Sequence, residues 1–395
     1  MKRAVLVALS SLPLLVLACG EAGKAEKKLE KKVEAKADAK VDAKPPEARP
    51  APPEAPSWAW TLPAGLKEPA VPEDNPMSED KVALGHELFM DKRLSVDGSR
   101  SCYSCHQNQL GNADGRARAL GPGDKELARN TPTIWNVAYN GLLYWDGRAP
   151  SLEKQAIGAW KGGNMGVGEA GLAAKAAEIG ALPEYADAFK RLFGLRNGEA
   201  VQPEHVAMAL SAYERTLLCG DTPWDKSTMN EQQQRGWEVF RGKGSCTTCH
   251  SGEHFSDGQF HKMGIGLDDT GEGPDKGRMD ATKDQADAYK FRTPTLRNVT
   301  KTAPYFHDGS TPDLRAAVAR MAGGPTRLDL DSNFADRALT PAEIDDVVAF
   351  LGALDCPGSL EVVGDQAVPG ITSPLAAPPT APLTPPNAPP RKLSL

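Results

Sequence analysis

Hydrophobic positions recur at helical spacing near the end of each of two long stretches of this chain. In the first stretch a helix is predicted after Pro203, with one apolar face made by Val206, Leu210, Tyr213 and Leu217. In the second, the pair Thr340 and Glu343 predicts a capping box that starts another helix. Its apolar face is made by Ile344, Val347, Val348 and Leu351.

Both stretches also begin alike. Each opens with a predicted helix that ends in a hydrophobic pair, Leu88-Phe89 or Val239-Phe240. The segment 131–137 (TPTIWNV) reappears 162 positions later as 293–299 (TPTLRNV), and Trp145-Asp146-Gly147 is matched by His307-Asp308-Gly309. The pattern predicts an all-α fold of two domains related by an internal repeat. We place the domains at 67–225 and 226–356.

The two ends of the chain have a different composition. Lys2 and Arg3 precede an apolar run that is too short to span a membrane, so residues 1–19 are predicted to be an export signal. The residues before Cys19 resemble a bacterial lipobox, which predicts an outer-membrane lipoprotein facing the periplasm and held by a lipid on Cys19. Residues 20–66 are rich in Ala, Lys, Glu and Pro and predict a disordered tether; residues 357–395 predict a disordered proline-rich tail.

Overall charge narrows the range of partners. The formal net charge of the 395 residues is -6, so there is no basic field to attract nucleic acid. A small basic electron donor is compatible with such a surface. Aromatic residues make up only 6% of the chain, which suits small domains that pack around a large cofactor.

Two Cys-x-x-Cys-His motifs carry the chemistry. They are Cys102, Cys105 and His106 in the first domain, and Cys246, Cys249 and His250 in the second. This spacing is the attachment signature of c-type haem, in which both thiols form thioethers and the histidine binds the iron. The alternative, a pair of zinc or redox sites, does not explain a histidine directly after both cysteine pairs. The sequence therefore predicts two covalently bound haems.

The second face of each iron is predicted to differ between the domains. Met321 follows Pro312 on a short helix, where its thioether would complete a His/Met iron. The position 162 residues earlier is Ala159, which cannot bind a metal. Met165 is the only other ligand candidate near the first haem, in a glycine-rich loop. The first iron is therefore expected to be open to a small molecule, and the second closed.

Two further features follow from the residues alone. If the halves face each other, Trp145 and His307 line the domain interface, and Trp145 is either an electron relay or a packed core residue. Of seven cysteines, four form thioethers and one carries lipid, which leaves Cys219 and Cys356. They form a disulfide or remain as two buried thiols.

Together these motifs resemble the bacterial diheme cytochrome c peroxidases, including the diheme enzyme that matures the quinone cofactor of methylamine dehydrogenase. The resemblance covers about residues 76–356 and rests on both haem motifs, on 144–149 (YWDGRA), and on 294–299 with 303–309. It implies that His106 holds a peroxidatic haem and that His250 and Met321 hold the haem that receives electrons. It also implies that Trp145 relays electrons between them.

The same resemblance implies a calcium ion between the domains, held by the side chain of Asn130 and the carbonyls of Thr302 and Pro304. Two positions depart from the family pattern. Pro122 stands where many members carry a blocking histidine, which predicts a site that needs no reductive activation. The distal glutamate is replaced by Met165 or Asn164, so Asn164 is expected to orient peroxide, and Glu169 is the only nearby carboxylate.

Three functions are therefore considered. The first is a peroxidase that reduces hydrogen peroxide with electrons from a small cytochrome c or a cupredoxin, as a monomer or a homodimer. The second is a diheme oxidase that acts on a side chain of a partner protein. The third is a tethered electron carrier without peroxide chemistry.

Overall fold

The computed structural model describes residues 58–325 and 329–357. Within these residues the protein is mostly helical, as predicted. The predicted export signal, Cys19, residues 20–57 of the predicted tether and the tail from residue 358 lie outside the described residues. None of the described helices combines the length and hydropathy that a membrane span requires.

The described part of the first half contains five α-helices. They are α1 (Glu79–Met90), α2 (Leu152–Lys161), α3 (Leu172–Gly180), α4 (Pro183–Phe193) and α5 (Pro203–Glu214). The hydrophobic pair Leu88-Phe89 lies at the end of α1, where both side chains are buried. Ser78 caps α1 by accepting a hydrogen bond from the Lys81 amide, and Glu79 and Asp80 favour the positive end of the helix dipole.

The second half contains four α-helices and one short sheet. The helices are α6 (Glu231–Arg241), α7 (Met279–Thr282), α8 (Leu314–Ala322) and α9 (Pro341–Gly352). Two strands, β1 (Phe260–His261) and β2 (Phe291–Arg292), pair antiparallel. The capping box predicted at Thr340 and Glu343 is confirmed, since each side chain accepts a hydrogen bond from the other residue's amide.

Each half has its own core, and each core begins where its first and last helices cross. In the first half Gly85 of α1 packs on Ala209 of α5, so closely that a Cβ at Gly85 would lie 1.9 Å from the Ala209 carbonyl oxygen. In the second half a Cβ at Gly236 would lie 1.8 Å from the carbonyl oxygen of Asp346. Only glycine permits backbones to approach this closely. Each pair of crossing helices forms the scaffold that positions the haem motif of its half.

A disulfide joins the ends of the two halves. Cys219 and Cys356 are bonded, which decides between the two alternatives left open by the sequence. Both cysteines follow the last helix of their half, and the backbone amide of each donates to an asparagine of the repeated segment, 131–137 or 293–299. The Cys219 amide donates to Asn136 Oδ1 at 2.7 Å, and the Cys356 amide donates to Asn298 Oδ1 at 3.2 Å.

The ordered body extends before the predicted domain boundary at residue 67. Trp58 and Trp60 pack against the hydrophobic core of the first half. The Ala64 amide donates to Asp221, and the Tyr139 hydroxyl donates to the Lys67 carbonyl at 2.6 Å. Residues 58–66 were assigned to the tether by composition, but in the structure they are folded onto the first half.

Candidate functional site

Both haem motifs adopt the same local conformation. The cysteines are placed by single 3-10 turns, Cys102–Ser104 and Cys246–Thr248. His106 Nδ1 lies 2.9 Å from the Asn112 carbonyl, and His250 Nδ1 lies 2.8 Å from the Phe255 carbonyl. Each carbonyl fixes Nδ1 as the protonated nitrogen, which leaves Nε2 free to bind a metal.

The electrostatics of both histidines suit metal ligation. Burial lowers the pKa of His106 and of His250, because the charged imidazolium loses its hydration. The neutral ring is the form that binds iron. Together with the two half-buried cysteine pairs, which form no disulfide, these rings match the donor set of covalently attached haem.

A large, mainly apolar cavity of about 280 Å³ surrounds the second motif. Cys246, Cys249 and His250 line one side of it, and Met321 lines it from helix α8. Met263 lines the same cavity. The attachment cysteines, the histidine and a thioether therefore converge on one enclosed space, which fits a haem.

The corresponding helix of the first half offers no such ligand. Ala159 lies on α2, as Met321 lies on α8. Met165 follows α2 and is buried, and its backbone carbonyl accepts a hydrogen bond from Val96 at 2.9 Å. Asn164 beside it is half-buried.

Two loops pack together near these residues. A Cβ on Gly121 would lie 2.2 Å from the Gly163 carbonyl oxygen, and one on Gly166 would lie 3.2 Å from Pro122 Cγ. An ion pair between Arg100 and Asp124 also holds the Pro122 loop. Pro122 is thus held against the glycine-rich loop.

Glu169 does not join this group. Its side chain is 77% exposed and pairs with Lys161 at 2.7 Å. The structure therefore gives no support to Glu169 as a substitute for the distal glutamate.

Trp145 lies at the contact between the halves. Its indole Nε1 donates to the Asn130 carbonyl at 3.0 Å, and its ring centroid lies 6.4 Å from that of His307. Trp145 also lines the cavity around the second motif, although it belongs to the first half. Phe291 stacks on the other face of His307 with centroids 3.5 Å apart.

The residues proposed to hold calcium are brought together in part. Asn130 reaches across the interface, where its amide donates to the Pro304 carbonyl at 3.3 Å and to the Arg116 carbonyl at 2.7 Å. Thr302 lines the same cavity as Asn130 and Pro304. Carbonyl oxygens are ligands that suit calcium.

Sequence analysis missed three groups of charged residues. Arg129 binds Asp146 and Asp275, and His261 lies between Asp257 and Asp331. Glu214 is buried in the first half, where desolvation raises its pKa to about 8. An acidic residue directly after an apolar helix face was the only sequence signal for Glu214. The pairs of Arg129 with Asp275 and of His261 with Asp331 join residues 146 and 70 positions apart, so the sequence carried no local signal for them.

Comparison with known proteins agrees with this geometry. Residues 79–234 match the family model for di-haem cytochrome c peroxidase, and residues 233–355 match the model for cytochrome c. The chain is 39% identical to a cytochrome-c peroxidase, IdrP1, of Denitromonas iodatirespirans, over 78% of this chain and 89% of the relative. It is 36% identical to the methylamine utilization protein MauG of Methylorubrum extorquens, over 72% and 80% of the two chains.

A solved structure is similar throughout the folded body. A crystal structure described as a MauG-like protein associated with microbial copper homeostasis superposes with a TM-score of 0.70 at 30% identity. The match covers 77% of this chain and 97% of that chain. The two helical halves are thus cytochrome c-like domains that each carry a c-type haem motif.

Proposed function

Because this chain belongs to the di-haem cytochrome c peroxidase family, whose members are oxidoreductases acting on peroxide, we propose that it reduces hydrogen peroxide to water at its first haem. The electrons enter at the second haem from a small cytochrome c or cupredoxin. One observation carries the proposal: Met321 lines the cavity of the second motif, whereas Ala159 occupies the corresponding position in the first.

When bound, haem supplies an iron that exchanges electrons and, where one face is free, binds peroxide. His106 and His250 would bind the two irons through Nε2, since Nδ1 of each ring is hydrogen-bonded to a backbone carbonyl. Met321 would supply a thioether ligand to the second iron and favour its reduced form. Trp145, which lines the cavity of the second motif from the first half, would relay electrons between the two haems.

The residues on the free face of the first haem have limited means of moving a proton. Asn164 orients peroxide by hydrogen bonding, and Met165 packs beside it. Neither side chain replaces the acid–base function of a carboxylate. We therefore expect peroxide turnover that depends on orientation and on charge stabilisation more than on proton transfer from a side chain.

A steady-state assay with a spectroscopic control tests the proposal. The protein, loaded with both haems, should oxidise reduced cytochrome c in the presence of hydrogen peroxide, and His106→Gly should abolish this. Electron paramagnetic resonance of the oxidised protein should show one high-spin iron before any reduction. Two low-spin irons together with no peroxide turnover would contradict the proposal.

A second function is favoured by the similarity to MauG. In this alternative the first haem would oxidise a side chain of a partner protein, and the electrons would pass from that side chain to the haem and on to peroxide. Met321 argues against it, because a thioether stabilises reduced iron at the second haem. A covalently altered partner isolated after peroxide treatment would favour the alternative over the peroxidase.

The proposal also includes the location of the enzyme in the cell and one bound calcium ion. The lipobox-like residues before Cys19 support a lipoprotein that faces the periplasm, and the approach of Asn130 to Pro304 supports one calcium ion between the halves. Globomycin, which blocks lipoprotein processing, should leave an unprocessed precursor. Prolonged chelation should slow interhaem electron transfer, and added calcium should restore it.

A further inference from the structure

The second half carries a long insertion that the first half lacks. Thr131 follows His106 by 25 positions, whereas Thr293 follows His250 by 43. The additional residues lie between strands β1 and β2, and we name residues 262–290 the interdomain arm. The pairing of Phe260 with Arg292 and of His261 with Phe291 closes the base of the arm.

Two guanidinium groups tie the interdomain arm to the first half: Arg278 of the arm donates to the Asp146 carbonyl at 3.4 Å, and Arg129 of the first half makes the shorter hydrogen bonds to the arm. Arg129 Nε donates to Asp275 Oδ2 at 2.6 Å, and Arg129 Nη2 donates to Asp275 Oδ1 at 2.8 Å. The third nitrogen, Nη1, donates to Asp146 Oδ2 at 2.7 Å. A bidentate pair of this kind fixes direction as well as distance.

All three side chains are shielded from solvent. Arg129 is 16% exposed, Asp275 17% and Asp146 5%. Burial alone would raise the pKa of Asp275, but the hydrogen bonds and charge of Arg129 outweigh it and lower that pKa. Arg129 and Asp275 therefore form a charged pair that salt screens only weakly.

The triad of Arg129, Asp146 and Asp275 includes the chain neighbours of Trp145 and of its hydrogen-bond partner. Asp146 directly follows Trp145, and Asn130, whose carbonyl accepts the indole N–H, directly follows Arg129. The base of the arm adds a third tie, because the Arg292 amide donates to the Trp145 carbonyl at 2.8 Å. A shift of Arg129 would thus move both the residue after Trp145 and the acceptor of its side chain.

We propose that Arg129, held by Asp275 of the interdomain arm, is a positioning residue that fixes the indole of Trp145 for electron transfer between the haems. The inference rests on the proposed relay role of Trp145. In the step concerned one electron leaves the second haem and arrives at the first, with no bond made or broken. The arm belongs to the second half, which is proposed to receive the electrons. The second half would therefore position Trp145, which belongs to the first half.

Asp275→Asn is the test, because it keeps the size of the side chain and removes its charge. Glu272→Gln is the matched control: it makes the same change on the same arm, where Glu272 binds only Lys276 and Tyr289. The readout is the rate at which the first haem is reduced after rapid reduction of the second, followed by absorbance. We expect Asp275→Asn to slow this rate severalfold, and Glu272→Gln, which changes an exposed pair, to leave it nearly unchanged.

Double variants that combine Trp145→Phe with Asp275→Asn or with Glu272→Gln test the relay role and the positioning role separately. If Trp145 is the relay, Trp145→Phe slows the transfer by itself, and Asp275→Asn adds nothing in that background. An unchanged rate in Trp145→Phe would overturn the relay role. A rate that Asp275→Asn lowers equally with and without the indole, or does not lower at all, would overturn the positioning role.

Discussion

The imidazole of His307 meets the indole of Trp145 edge to face, with ring centroids 6.4 Å apart and an angle of 69° between the planes. These residues hold corresponding positions in the two halves, 162 residues apart. Burial lowers the pKa of His307 to about 4, so the ring beside the indole is neutral. Trp145 is therefore packed against an uncharged aromatic surface that belongs to the opposite half.

Met321 is expected to be the iron ligand at the second haem. Met321→Leu keeps the volume of the side chain and removes the thioether, so the reduction potential of that haem should fall and its near-infrared thioether band should disappear. Met263→Leu is the control, because Met263 lines the same cavity. Redox titration of both variants shows which of the two methionines binds the iron. Loss of the band in Met263→Leu alone would assign the wrong methionine.

Asn164 and Glu169 should differ in their effect on peroxide turnover. Asn164→Ala removes the side chain expected to orient peroxide, and kcat/KM for peroxide should fall about 10²-fold, as for a lost oxyanion donor. Glu169→Gln removes an exposed carboxylate that binds Lys161, and turnover should stay within about twofold. Steady-state kinetics measure both. A larger loss in Glu169→Gln than in Asn164→Ala would contradict the arrangement.

Glu214 should make stability depend on pH. Burial raises its pKa to about 8, well above the value of 4.5 for an ordinary glutamate. Between about pH 4.5 and 8 the folded protein therefore holds a proton that the unfolded chain has lost. The free energy of unfolding should fall as pH rises through this window, by up to about 1.4 kcal/mol per pH unit from this group.

Glu214→Gln should remove that dependence. The difference in unfolding free energy between variant and parent, measured with denaturant from pH 5 to 8, should shift in favour of the variant as pH rises. Glu204→Gln is the control, since Glu204 is exposed on the same helix, α5. A difference that stays constant with pH in Glu214→Gln would show that Glu214 is ionised in the folded protein.

The Cys219–Cys356 disulfide should stabilise the fold considerably. It joins residues separated by 137 positions, and closing so long a loop lowers the entropy of the unfolded chain. Replacing both cysteines by alanine should lower the free energy of unfolding by roughly 2–5 kcal/mol. Denaturation with and without reductant measures this. The double variant should be insensitive to reductant, and a parent that is equally insensitive would contradict the bridge.

Local patterns in the sequence determined much of the architecture. The capping box at Thr340 and Glu343 and the helices that end at Leu88-Phe89 and Val239-Phe240 are confirmed. The two haem motifs are equally local, since each lies within five residues. Such features depend on residues one to four positions apart, whose side chains meet whenever a turn or helix forms.

Composition was a poorer guide at the boundaries of the fold. Residues 58–66 follow a proline-rich segment and were assigned to the tether, yet Trp58 and Trp60 pack on the first core. This segment is too short, and too close to the prolines before it, to show a helical or strand periodicity. Whether it finds an apolar surface depends on helices that form far away in the chain.

The sequence by itself thus determined a mostly helical chain with two haem motifs and one candidate thioether, because these depend on neighbouring residues. Only the tertiary structure decided that Cys219 bonds Cys356, that Glu214 is buried, and that Arg129 binds Asp275 across 146 positions. These features depend on how segments that are distant in the chain pack together. No local pattern encodes that packing.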